Sequence, residues 1–126
     1  MDQERMEIGL RKLKDVDGKA GEEVYERISK ISPFMAGFLV ESFGDVYSIP
    51  AIDDKTREIA VIGALTALGY AIPQLKVHIH AGLNVGLSKE EILAIINTIG
   101  IYAGFPAALN ALFAAQEVFD EAGLKK

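Results

Sequence analysis

A run of 25 residues without a charged side chain, residues 92–116, constrains this chain more than any other feature. Its sequence, ILAIINTIGIYAGFPAALNALFAAQ, is long enough to cross a bilayer as one helix. The segment YAGFPAA interrupts the run in the middle, and the polar residues Asn97, Thr98, Asn110 and Gln116 divide the rest. We therefore predict two buried helices joined by a turn, and no membrane partner.

Helical periodicity and capping signals extend over most of the remaining chain. Ser32 before Pro33 is typical of an N-cap followed by proline in the first turn, and Ser88 with Glu91 forms a capping box. Gly18 is typical of a helix end, and no segment alternates as a strand would. The fold class is predicted to be all-α, a compact bundle of about six to seven helices. The predicted helices cover residues 2–16, 20–30, 33–44, 55–69, 73–85, 92–104 and 106–123.

The length and composition limit the possible functions. A chain of 126 residues predicts a single domain, residues 1–126. The net charge of −5 and the lack of a basic run argue against a nucleic-acid partner. With no cysteine, the chain cannot form disulfides, a thiolate zinc site or a thiol redox centre, and a cytoplasmic location is expected. Half of the residues are hydrophobic, which is much for a small domain to bury alone, so self-association is predicted.

Both histidines of the chain lie in one predicted helix, two residues apart. Residues at this spacing point to nearly opposite sides of a helix, so His78 and His80 cannot bind one metal ion together, and no metal site is predicted. His78 shares an apolar stripe with Leu75 and Ile79 and is expected to be buried or to line a cleft. It is either a core imidazole held by a carbonyl or carboxylate, or a functional group.

His80 lies on the other side of the same helix, in a polar stripe with Lys76 and Asn84. This spacing predicts that His80 is exposed or lies at a boundary between subunits. Its simplest interpretation is an ordinary surface residue.

Glu58 is the candidate partner of His78. It is the only acid in an otherwise apolar stripe of its helix, with Val61, Ile62, Leu65 and Leu68. An acid in the first turn of a helix is also explained by the helix dipole, and Arg57 could pair with it. A buried carboxyl group beside an imidazole can share a proton with it, as an enzyme that forms a carbanion without a cofactor requires.

Three segments resemble the carboxymuconolactone decarboxylase family: TREIAVIGALTALG, LKVHIHAGLNVGLSKEEI and IYAGFPAALNALFAAQEVF. The resemblance covers about residues 30–120, with Gly82 standing where the family often has Ala. It implies an all-α fold related to the alkyl hydroperoxidase D type and an assembly of three or six copies. The hydroperoxidase branch carries Cys-x-x-Cys before its histidine, whereas this chain reads YAIPQLKVH, so that thiol chemistry is not expected here.

The resemblance implies a decarboxylase of aromatic catabolism that acts on 4-carboxymuconolactone without metal or organic cofactor. Its acid and histidine match Glu58 and His78, which we predict to be catalytic. A different carbon-acid enzyme such as an isomerase, a related lactone-processing enzyme, and a non-enzymatic oligomer that binds a small acid or a protein remain alternatives. The candidate substrate-binding residues are Arg57, Lys76, His80, Asn84 and Tyr102.

Overall fold

A computed structural model describes residues 2–124, and these form six helices without a strand. The all-α prediction is confirmed. Among residues 2–124, no helix combines the length and the apolar character that a membrane crossing requires. The helices are α1 (Gln3–Ile31), α2 (Pro33–Tyr47), α3 (Asp54–Leu68), α4 (Ile72–Asn84), α5 (Lys89–Ala103) and α6 (Phe105–Glu121).

The chain divides into two compact units, with Asp54 the last residue of the first unit and Lys55 the first residue of the second. Each unit has its own helices: α1 and α2 in the first, and nearly all of α3 together with α4, α5 and α6 in the second. The sequence prediction of one domain is not tested by this division and stays a prediction.

The first unit contains a long helix with one break. Gly18 has φ 59° and ψ −139°, a conformation that side chains on L-residues rarely adopt, so only glycine fits there without strain. The helix predicted to end at Asp17-Gly18 does break at that point, and the chain then resumes its helical path to Ile31. The two short helices predicted for residues 2–16 and 20–30 are thus the two arms of α1.

α1 and α2 pack with their backbones in contact. A Cβ atom on Gly9 would collide with the carbonyl oxygen of Val40, and one on Gly44 would lie 2.6 Å from the Cα of Gly9. Beside this crossing, Arg5 forms ion pairs with Glu41 (3.0 Å) and Asp45 (2.6 Å). The two helices are therefore held by a backbone crossing and a cluster of charges at its side.

α2 begins as the sequence predicts but ends later. The Ser32 side chain accepts a hydrogen bond from the backbone N–H of Met35, which confirms it as the N-cap. The helix continues past the predicted end at Gly44 to Tyr47, whose ring stacks on Phe43 with centroids 3.9 Å apart. This contact between residues four apart stabilises the extra turn, so the predicted boundary was wrong by three residues.

The core of the second unit is aliphatic. Its central side chains are fully buried and come from α3, α4, α5 and α6: Ile62, Leu75, Ile79, Ile92, Ile96, Ala111, Ala115 and Val118. Leu68, predicted to face inward, is 50% exposed because it is the last residue of α3, before the turn at Gly69 (φ 78°). The capping box of Ser88 and Glu91 is present at the start of α5, as predicted.

The uncharged segment 92–116 forms two helices joined by a turn at Gly104 (φ 93°), as the sequence predicts. α5 and α6 approach closely, since a Cβ atom on Gly100 would lie 3.1 Å from that of Ala108. The predicted burial is wrong near the turn, where Ile101, Tyr102 and Phe105 are 80%, 83% and 82% exposed. One side of each helix fills the core and the other side faces outward. Because the sequence of this segment is apolar on every side, it does not show which side of each helix is buried.

Candidate active site

Glu58 lies in α3, one turn after the helix begins at Asp54. Its neighbour one turn later is Ile62, a fully buried core residue, so the helix carries the carboxyl group inward on the same side. The Glu58 side chain has no exposed surface. A carboxyl group removed from water to this extent requires polar partners.

His78 supplies one such partner from the next helix. In α4 it lies between Leu75 and Ile79, both fully buried, and its own side chain is 20% exposed. Nδ1 of His78 lies 2.6 Å from Oε1 of Glu58. The imidazole thus joins a buried carboxyl group at one end and reaches the surface of the unit with part of its ring.

This geometry has a direct chemical consequence. A carboxylate oxygen accepts hydrogen bonds, so the contact fits an imidazole that carries its proton on Nδ1 and donates a hydrogen bond to Glu58. The contact fixes the orientation of the ring.

Lys76 and His80 have acidic partners in α6. Lys76 forms an ion pair with Glu117, and Nε2 of His80 lies 3.4 Å from Oε2 of Glu121. Lys76 and His80 are four residues apart on α4, and Glu117 and Glu121 are four residues apart on α6. The two contacts between α4 and α6 therefore lie one helical turn apart. The two histidines therefore have different partners, His78 on α3 and His80 on α6.

The remaining candidate residues differ in exposure. Arg57 is buried with 8% of its surface exposed, next to Glu58 in the sequence. Asn84 is the last residue of α4 and is exposed. Tyr102, in the last turn of α5, is 83% exposed. A side chain as open as Tyr102 can line an enclosed site only where another surface covers it.

Glu117 and Glu121 were not identified from the sequence as part of this region. A signal was present, because their spacing of four residues matches that of Lys76 and His80. The helical pattern of α4 alone does not show which helix faces it, so the complementary pair on α6 was not assigned.

The chain is a member of the carboxymuconolactone decarboxylase family, whose family model matches residues 33–117. It is 32% identical to the 4-carboxymuconolactone decarboxylase of Acinetobacter baylyi, across 98% of this chain and 92% of that protein. The resemblance described from the sequence is thereby confirmed.

Two further relatives show how varied similar proteins are. An uncharacterized 15.0 kDa protein of Paracoccus denitrificans is 34% identical across 75% of this chain and 72% of its own length. The nitrosuccinic acid decarboxylase of Metarhizium robertsii is 25% identical across 90% of this chain and 80% of its own length. Two of these three relatives are thus named as decarboxylases, of different acids.

Proposed function

We propose that this protein is a decarboxylase of the 4-carboxymuconolactone type and that Glu58 and His78 transfer the proton. The observation that carries the proposal is the 2.6 Å contact between the fully buried Glu58 carboxyl group and Nδ1 of the partly exposed His78. The name and near-complete overlap of the Acinetobacter relative support this choice of substrate.

The proposed reaction requires one donor and one proton. The bond between the substrate carbon and its carboxylate breaks, CO2 leaves, and the electron pair is delocalised onto the lactone carbonyl oxygen. Protonated His78, stabilised by Glu58, donates from Nε2, first as a hydrogen bond to the developing negative charge and then as a proton to carbon. The neutral imidazole recovers its proton from solvent, so atoms and charge balance over one turnover.

Substrate binding is assigned to the neighbouring polar residues. Arg57 offers a permanent positive charge for a substrate carboxylate. Lys76 and His80 are also candidates, but each is paired with an acid of α6, so a substrate carboxylate would compete with Glu117 or Glu121. Asn84 and Tyr102 are proposed as wall residues.

The relative from Metarhizium supports a second candidate, decarboxylation of another acid by the same pair. A nitro group accepts an electron pair as a lactone carbonyl does, so both substrates leave a delocalised anion that one donor can stabilise and protonate. An isomerase acting through a similar anion is the related enzymatic alternative. A non-enzymatic oligomer that binds a small acid is the other alternative. Thiol peroxidase activity is not proposed because the chain contains no cysteine.

We also propose that the protein works as a single domain in an assembly of three or six identical copies. Several large apolar side chains of the second unit are more than half exposed, which supports burial against other copies. A cytoplasmic location stays a prediction from the cysteine-free sequence.

The experiment that tests the function measures CO2 release from 4-carboxymuconolactone, and separately from nitrosuccinic acid. We expect turnover by the wild type and a loss of ~10²-fold or more in kcat for His78→Ala and Glu58→Gln. Glu90→Gln, which changes an exposed acid of α5 in the same way, is the matched control and should retain turnover. A wild-type protein inactive on both acids would contradict a decarboxylase of either kind.

A further inference from the structure

A small cavity lies between the first turns of α5 and the second half of α6, and neither Glu58 nor His78 lines it. Its volume is about 300 Å³, which is the lower end of the range of small-molecule sites. Lys89 and Leu93 are four residues apart on α5, and the lining residues of α6 follow the same helical repeat, so one face of each helix forms the wall. These residues are Lys89, Leu93, Leu112, Gln116, Phe119 and Asp120. We call this space the Lys89 cavity.

The inner surface of the Lys89 cavity is apolar. Phe119 is 4% exposed and belongs to the core, and Leu93 and Leu112 are half-buried against that core. The end of α6 closes one edge, because Gly123 adopts φ 75° and the N–H of Leu124 donates to the carbonyl oxygen of Phe119 (2.8 Å). Leu124 thereby also lines the cavity. An apolar group of a ligand would therefore be covered by several side chains.

Two groups of opposite charge line the same cavity. Lys89 is half-buried, and its Nζ lies 5.6 Å from the centre of the Phe119 ring, a cation–π contact that keeps the ammonium group at the cavity. Asp120 is exposed and follows Phe119 on α6. Among residues 2–124, neither Lys89 nor Asp120 forms an ion pair, with each other or with any other side chain. A cation and an anion thus share one small cavity, and each is available to a ligand.

These charges favour a ligand that carries both signs. The Lys89 ammonium group is a donor for a carboxylate, and the Asp120 carboxylate is an acceptor for an ammonium group. A simple organic acid would pair with Lys89 but would be repelled by Asp120 and by Glu90 and Glu91, the exposed acids that follow Lys89 on α5. A simple amine would leave Lys89 without a partner. A zwitterion pairs with both groups and adds no net charge to the cavity.

We propose that the Lys89 cavity binds a free α-amino acid with an apolar side chain. The α-carboxylate pairs with Lys89, the α-ammonium group pairs with Asp120, and the side chain lies on the apolar inner surface. The amide of Gln116 can donate a further hydrogen bond to the α-carboxylate. This site is separate from the proposed decarboxylation, because no residue assigned to proton transfer or to substrate binding lines it.

The test is isothermal titration calorimetry of the wild type with L-leucine and with two compounds that each lack one of its charges. Isocaproate keeps the side chain and the carboxylate, and isopentylamine keeps the side chain and the amine. We expect saturable binding of L-leucine with a Kd of about 1 mM or lower. Either analogue should bind at least about tenfold more weakly, because it leaves one charged group of the cavity unpaired. Absence of L-leucine binding, or an analogue that binds as tightly as L-leucine, would overturn an amino-acid site.

Substitutions then locate the site. Lys89→Met and Asp120→Asn each remove one charge from a side chain outside the core, and each should weaken L-leucine binding at least about tenfold. Lys14→Met and Glu90→Gln make the same kinds of change at exposed residues that do not line the cavity, and both should bind L-leucine as the wild type does. His78→Ala should also bind it normally.

An unchanged Kd for Lys89→Met and Asp120→Asn, with circular dichroism showing that both are folded, would overturn the proposed site. Loss of L-leucine binding in His78→Ala would also overturn it, because the amino acid would then occupy the candidate active site. The decarboxylation assay decides the proposed function separately, so the failure of one proposal is distinguishable from the failure of the other.

Discussion

Nδ1 of His78 lies 2.6 Å from Oε1 of Glu58, and this one contact joins α4 to α3 through a carboxyl group that has no exposed surface. Because Glu58 is removed from water, the contact orients the imidazole without competition from solvent. It is therefore both a structural link between two helices and the proposed source of the catalytic proton, and these two roles can be separated by substitution.

Replacement of Glu58 by Gln should separate the structural role of this contact from its proposed catalytic role. The Gln carbonyl oxygen can still accept the hydrogen bond from His78, but the negative charge is lost and the amide N–H groups are buried. We expect a decrease of about 1–3 kcal/mol in the free energy of unfolding. Urea unfolding measures that change, and circular dichroism should show an intact helical fold. A stability loss far beyond this range would show that the carboxylate is chiefly a structural element.

The capping box at the start of α5 should contribute measurably to stability. The Ser88 side chain accepts a hydrogen bond from the backbone N–H of Glu91, and the Ser88 N–H donates to the Glu91 carboxylate. We expect Ser88→Ala to lower the free energy of unfolding by about 1 kcal/mol. Ser48→Ala, at an exposed serine after the end of α2, is the control and should change stability less. Equal effects of the two changes would contradict a specific N-cap contribution.

The same capping box predicts a dependence of stability on pH. The hydrogen bond from the backbone N–H of Ser88, helped by the charge of Lys55, lowers the pKa of Glu91 below its usual value of 4.5. A lowered pKa means that the contribution is complete above pH 4.5 and is lost as the pH falls through the folded-state value. We expect the melting temperature of the wild type to decrease more between pH 6 and pH 3 than that of Glu91→Gln. Glu90→Gln, one residue earlier, should follow the wild type.

Substitution by alanine should affect stability differently at two glycines, because Gly18 lies at the break in α1 and Gly63 lies inside the regular helix α3. Gly18→Ala forces a side chain into φ 59°, ψ −139° and should cost about 1–3 kcal/mol. Gly63→Ala adds a methyl group inside α3 at ordinary contact distance, 3.5 Å from Ile99, and should be neutral or stabilise by up to about 1 kcal/mol. Urea unfolding of both variants measures the difference. A Gly18→Ala protein as stable as Gly63→Ala would show that the break adapts to a side chain.

The sequence predicts which side of each helix carries the candidate site, but not which helices meet. The periodicity of α3 and of α4 places Glu58 and His78 among buried residues, and the structure agrees. Their mutual contact follows from the packing of two helices, which no single-helix pattern contains. For the same reason the acids Glu117 and Glu121, which pair with Lys76 and His80, were not assigned.

The prediction of helix ends and of exposed helix surfaces from the sequence is limited in a similar way. Capping residues such as Ser32 and Ser88 locate helix starts well, because their side chains bond to the nearby backbone. The end of α2 depends on the stacking of Tyr47 on Phe43, which capping patterns do not record. In the segment 92–116, charge is absent on every side, so the inner and outer surfaces become distinguishable only when the helices are packed.

The crossing of α1 and α2 has a consequence for how this sequence can vary. Gly9 is opposed by the main-chain carbonyl of Val40, and Gly44 by the main chain of Gly9. When a side chain is the obstacle, a smaller neighbour can make room; here the obstacle is main chain, which every amino acid possesses. No second substitution at the opposing position can therefore rescue a change at either glycine, and only a wider separation of the two helices could accommodate it.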